Sequence, residues 1–185
     1  DVDATDADGD TLTYSISGGA DQASFSIVSG TGVLTFSSAP DFETPTDANT
    51  DNDYVVEVTA TDDGSGTLTD LQTITVTVTD VNDDPIINSD GGGATAAVNA
   101  AENLTTTTDV DATDQDVDTL TYAITGGADQ GKFTIVSGTG VLTFLSAPDF
   151  ETPLDADTNN DYLVEVTASD GTNSDLQTIT VTVAD

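Results

Sequence analysis

The residues best equipped for chemistry are carboxylates set one residue apart in short loops. "DADGD" offers Asp6, Asp8 and Asp10, and "DQDVD" offers Asp114, Asp116 and Asp118. "DFE" occurs as Asp41 with Glu43 and again as Asp149 with Glu151; Asp62 and Asp170 end the runs "ATD" and "ASD"; "DVNDDP" spans Asp80–Pro85. Acidic groups mixed with asparagine in irregular segments suit a hard cation, because Ca2+ takes about six to eight oxygen ligands and tolerates uneven geometry. Like charges packed this closely repel in water, and a bound divalent ion reverses that sign. Aspartate also favours solvated turns, but the clusters recur at matching places in two copies of one sequence.

That recurrence is a tandem duplication. Asp1–Asp62 matches Asp109–Asp170 at 49 of 62 positions, and "LQTITVTV" then runs in both copies after a shortened turn. A period a little over one hundred residues is the size of a self-sufficient sandwich. Within each copy apolar residues alternate, as Tyr54, Val56, Val58 and Ala60 do in "YVVEVTATD" and Ile74, Val76 and Val78 do in "TITVTV". Period two with β-branched residues predicts half-buried antiparallel strands. Similar strands are "LTYSI", "FSIV" and "VLTF", separated by Gly, Asp, Pro and Ser turns. The fold class is therefore all-β, two tandem sandwiches over residues 1–84 and 85–185. Tyr14, Phe25, Phe36, Phe42 and Tyr54 are expected in the core.

The second copy has extra residues ahead of its "DVDATD", Val98–Thr108, which read as one or two strands. The first copy has none, so it is expected to lack its N-terminal strand, supplied either by a longer array or by a neighbouring chain.

Composition narrows the function. With 35 acidic groups, one lysine and a net charge of −34, the surface repels nucleic-acid phosphates and anionic membranes. There is no cysteine and no histidine, so thiolate metal sites and nucleophile–base pairs have no parts. The lysine, Lys132, is Ser24 in the other copy. A paired-carboxylate glycosidase is the one enzymatic arrangement left, and its carboxylates are already accounted for by a cation; the chain is read as a non-enzyme. No tryptophan is present to build a sugar-stacking platform.

Taken in order, "AEN", "ATDADGD", F-x-I followed by "GTGVL", "DFE", "YVVEVTATD" and "DVNDDP" resemble a cadherin repeat, in the variant common in large bacterial surface proteins. The resemblance implies seven-stranded Greek-key sandwiches joined head to tail, with up to three Ca2+ clamped at each junction. Position by position, it implies ligands from Asp41, Glu43, Asn82, Asp83, Asp84, Asp114, Asp116 and Asp170, with Val81 giving a backbone oxygen. Asp118 stands where the family often has Asn, and Asp80 is expected to end a strand without a ligand role. Glu102, Asp149 and Glu151 would serve a following junction, and Asp6, Asp8 and Asp62 a preceding one. Fewer ions than three are expected, since the first copy's "AEN" would lie ahead of residue 1. The linker "IINSDGGGATAAVNAAEN" is longer than the family's and contains three glycines, which weakens the expectation of a rigid rod.

The implied function is a calcium-stiffened structural and adhesive module at the cell surface, with neighbouring repeats as partners and a homophilic, adhesin or glycan partner beyond them. The alternatives are a carbohydrate- or partner-binding module and a fibre unit with strands donated between chains. A separate run, "PTDANTDNDY" and "PLDADTNNDY", puts Asp47, Asn49, Asp51 and Asp53, then Asp155, Asp157, Asn159 and Asp161, at alternate positions. It reads either as a further ion loop or as a solvated hairpin turn.

Overall fold

The computed structural model describes residues 1–185, which form two compact units, Asp1–Val81 and Asn82–Asp185. In unit 1, β1 (Leu12–Gly18), β4 (Asp53–Asp62) and β5 (Thr69–Thr77) make one antiparallel sheet with β4 in the middle, while β2 (Phe25–Ile27) and β3 (Leu34–Phe36) pair separately. The alternation in β4 does what the sequence demands: Tyr54, Val56 and Val58 are buried, and the residues between them reach outward. Phe25 stacks on Phe36 with ring centroids 4.6 Å apart, and Tyr54 meets both edge-on.

Unit 2 repeats this plan and adds to it. Its strands are β6 (Ile86–Ile87), β7 (Thr95–Ala101), β8 (Thr106–Asp109), β9 (Ala112–Thr113), β10 (Thr121–Gly126), β11 (Phe133–Ile135), β12 (Val141–Phe144), β13 (Asp161–Ser169) and β14 (Ser174–Ala184). One sheet runs β10-β13-β14-β7, with β7 parallel to β14; the other runs β11-β12-β8, and β6 pairs with β9. Both units are all-β sandwiches, and unit 1 has no strand matching β7 or β8.

The alternating acid run is buried only at its first residue, and its later members are exposed or half-buried. Asp47 and Asp155 are buried, and each accepts backbone N–H bonds within its own loop, from Asp51 and Asn52 at 2.9 and 3.2 Å and from Asn159 and Asn160 at 2.8 and 3.3 Å. Asp21 and Asp129, also buried, clamp the loop to the sheet by accepting the amides of Ala48 and Val55 and of Ala156 and Leu163. Burial would raise the carboxyl pKa values of Asp47 and Asp155, but the converging amides outweigh it and hold both below the usual range. These carboxylates build the turn.

Candidate metal centres

The acidic loop of unit 2 is anchored on both sides before it turns. Val110, fully buried, donates its N–H to the Gly140 carbonyl at 2.9 Å, and the Tyr122 hydroxyl accepts the Ala112 N–H at 3.1 Å. Gly140 sits at φ +71°, and a Cβ there would strike the Val110 carbonyl oxygen. Beyond these anchors the chain reverses through Val117 at φ 63°, with the Asp118 N–H on Asp114 Oδ1 at 3.3 Å. The reversal brings one carboxylate oxygen each from Asp114, Asp116 and Asp118 within 4.8 Å of one another.

Two oxygens in this group are left without a partner. Asp114 Oδ2 and Asp116 Oδ1 are buried with no hydrogen-bond partner. A buried, unsatisfied carboxylate oxygen is costly, and a cation is a partner that would satisfy it. The donor set is all oxygen, carboxylate-rich and irregular, which fits Ca2+ better than the strict octahedron of Mg2+.

Residues of the "DVNDDP" segment belong to the same unit. The Asp83 N–H donates to Asp116 Oδ2 at 2.7 Å, and Asn82 Nδ2 donates to Asp170 Oδ2 at 2.9 Å. Asp170 also accepts the amides of Thr172 and Asn173. The Asn82 amide, then the Asn173 and Thr172 N–H groups, hold its carboxyl below the usual range. Asp84 lines an open acidic groove with Asp83, Asp114 and Asp175 rather than joining the three-carboxylate group.

A second group in unit 2 gathers Glu102, Asp149 and Glu151, again within 4.8 Å. Glu102 follows β7 and is seated by its own N–H on the Ala184 carbonyl and by the Phe150 N–H on its Oε2 at 3.0 Å. Asp149 accepts the Thr152 N–H at 3.0 Å, and Asp41 in unit 1 accepts that of Thr44 at the same distance. Glu43 is half-buried in its loop.

In unit 1 the gathered set is Asp6, Asp10 and Asp62; Asp8 stands outside it, with its N–H on Asp6 Oδ1 at 2.8 Å. The family pattern implied Asp8 with Asp6 and Asp62, and Asp10 belongs to the same acidic run. Gly9, at φ 82°, folds Asp10 back so that its N–H also reaches Asp6 Oδ1. The Asp10 and Asp8 amides keep the Asp6 carboxyl low, whereas Asp10 is pushed up by desolvation and by the charges of Asp6, Asp63 and Asp62.

No protein-family model matches the chain. Mouse Cadherin EGF LAG seven-pass G-type receptor 2 is 33% identical over 187 residues, covering 100% of this chain and 6% of that protein. Human Protocadherin Fat 4 is 35% identical over 145 residues, covering 76% of this chain and 3% of that protein. The chain thus spans a few per cent of the length of these relatives. Among solved structures, human CDH23 EC21-23 superposes with a TM-score of 0.61 at 20% identity, over 100% of this chain and 66% of that one, a likeness of fold. The Protocadherin gammaB7 EC3-6 cis-dimer structure gives 0.56 at 28% identity over 94% and 41%. No helix of the chain is long and apolar enough to cross a membrane, and the segment corresponds to extracellular repeats of its relatives. From the duplicated sandwich, its acidic loops and the full-length likeness to cadherin proteins, the two units of this chain are cadherin repeats.

Proposed function

We propose that the chain is a calcium-binding structural and adhesive segment of a longer surface protein. The observation carrying the reading is the pair of orphaned, buried oxygens on Asp114 and Asp116. The residues that would hold an ion are Asp114, Asp116 and Asp118, with Asn82, Asp83 and Asp170 beside them, and likewise Glu102, Asp149 and Glu151, and Asp6, Asp10 and Asp62. Asp8, Asp41, Glu43 and Asp84 remain ligands implied by the family pattern. Bound Ca2+ supplies charge neutralisation, so that carboxylates which otherwise repel become shared ligands.

Asn82–Asp84 stands in the sequence between consecutive repeats, and loading there is proposed to limit how freely one repeat moves against the next. Extracellular modules bind Ca2+ with dissociation constants of about 0.1–1 mM, so such a site fills outside cells and empties in cytosol. Neighbouring repeats are the first partners. The cis-dimer named for the Protocadherin gammaB7 structure makes a second copy of the chain the next one to test. Small-angle scattering with calcium and with chelator tests the mechanical half of the proposal: calcium should narrow the distribution of particle lengths, and superimposable curves would refute it.

A further inference from the structure

We propose that the outer face of the β11-β12-β8 sheet in unit 2 is a self-association surface, on which a second copy of the chain docks through the same face. The first observation is where the negative charge is missing. From Gln130 to Pro148, and again from Asn103 to Thr108, there is no acidic residue, and Lys132 stands among them. These stretches contain β11, β12 and most of β8. The opposite sheet of the same unit carries Asp161, Glu165 and Asp175. Two chains of net charge −34 repel each other, but salt screens that repulsion beyond about 8 Å at physiological ionic strength. Contact between copies is therefore decided by the charges next to the joint, and this sheet brings none of the repelling kind.

The second observation is how the two copies of the sequence diverge. Ser24, Ser37 and Thr46 of unit 1 are Lys132, Leu145 and Leu154 of unit 2. The backbone around them is the same. The Ser37 N–H donates to the Ser24 carbonyl and the Leu145 N–H to that of Lys132, both at 2.8 Å, while the N–H groups of Thr46 and Leu154 donate to the hydroxyls of Tyr54 and Tyr162 at 3.1 and 3.0 Å. In unit 1 the three residues line one cavity, so the repeat brings the lysine and both leucines to one place in unit 2. Neither leucine enters the core: Leu145 is 61% and Leu154 64% exposed, and Leu104 and Val136, flanking β8 and β11, are 55% and 53% exposed. Apolar side chains gathered at one place on a surface, rather than scattered, mark a contact.

These features select the occupant. A lysine-rich partner would be drawn to the acidic loops and away from this sheet. A second copy brings the same acid-free face; laid on the first, it buries leucine against leucine and leaves its carboxylates at the rim, where Asp109 and Asp149 are exposed and one can meet Lys132 of the other copy. Between β8 and β12 a shallow depression lined by Thr107, Thr108, Leu142 and Thr143 offers a seat for an apolar side chain. Contact through the acidic loops instead would set like charges against one another. The proposal rests on the adhesive half of the functional reading and not on its calcium half.

Sedimentation of the full chain over a concentration series, in chelator and in calcium, tests the face. Self-association is expected in both, strengthening as salt rises from about 0.02 to about 0.5 M because screening removes the repulsion between copies. Leu145→Ser combined with Leu154→Thr restores the residues that unit 1 carries on the same backbone bonds, so this variant should fold, as circular dichroism will check, and should associate about tenfold more weakly or worse. Lys132→Glu, which puts a like charge into the joint, should weaken association as well. A chain that stays monomeric at every concentration and salt would overturn the proposal. So would a dimer that the double variant leaves unchanged, since another face would then hold it. Calcium-binding heat on a chain that remains monomeric would sink the face and leave the ion reading standing, whereas a dimer without binding heat would do the reverse.

Discussion

β5 and β14 share the sequence LQTITVT and bury it differently. In β14 the apolar side is sealed, because β7 lies along one edge and β13 along the other. In β5 one edge is open and Gln72 is exposed. The counterpart of Gln72, Gln177, is fully buried, with its Nε2 on the Ser89 and Gly93 carbonyls. Alternation therefore assigns a side to each residue, whereas burial depends on which strands arrive.

The sharpest way to break this comparison is to cut the same side chain in both places. Ile179→Ala should cost about 2–5 kcal/mol by opening a cavity in a sealed core, and Ile74→Ala about 1 kcal/mol, since water already reaches it. Urea titration of both variants decides it, and equal losses would mean that β5 is as well covered as β14. Calcium should act on both units: at about a hundredfold above its dissociation constant each site adds about 2.7 kcal/mol, read as a shift of the urea midpoint on adding chelator. Asp116→Asn should abolish the share of the Asp114–Asp118 site and leave that of Glu102, Asp149 and Glu151.

Where the two units are built alike, they should respond alike. Asp155→Ala and Asp47→Ala each strand two backbone amides and should each cost about 1–3 kcal/mol, with no change in calcium stoichiometry. A lost ion in either variant would turn that loop back into a metal site.

The smallest effects concern pH in calcium-free buffer. The folded-state pKa of Asp170 is depressed, so its contribution is present above the unfolded-state value and is lost as pH falls through the folded one. Asp170→Asn should therefore be destabilising near neutrality and converge with the parent in acid. Asp10 has the opposite sign: its raised pKa means that the charged form costs stability at neutral pH and is relieved on acidification. Asp10→Asn should stabilise the calcium-free chain at neutral pH, and the two urea-midpoint profiles should bend in opposite directions.

Much of the fold was legible because period two is a local property. Tyr54, Val56 and Val58 in β4, and Tyr162, Val164 and Val166 in β13, bury as their spacing requires. The contrast between β5 and β14 was not legible in those strands themselves, because their residues are the same. It was legible only in the extra residues Val98–Thr108, which overlap β7 and β8. The acidic loops were legible as clusters, whereas the gathering of Asp10 with Asp6 and Asp62 depends on Gly9, which turns the backbone left-handed. The run from Asp47 to Asp53 was ambiguous because an alternating carboxylate can face either an ion or the amides of its own turn, and Asp47 and Asp155 face amides.

Calorimetric titration of Ca2+ into the full chain and into Asp116→Asn tests the electrostatic account most directly. The account predicts saturable binding at about 0.1–1 mM, with at least one site missing from the variant. Absence of binding heat, together with identical urea midpoints in calcium and in chelator, would contradict it.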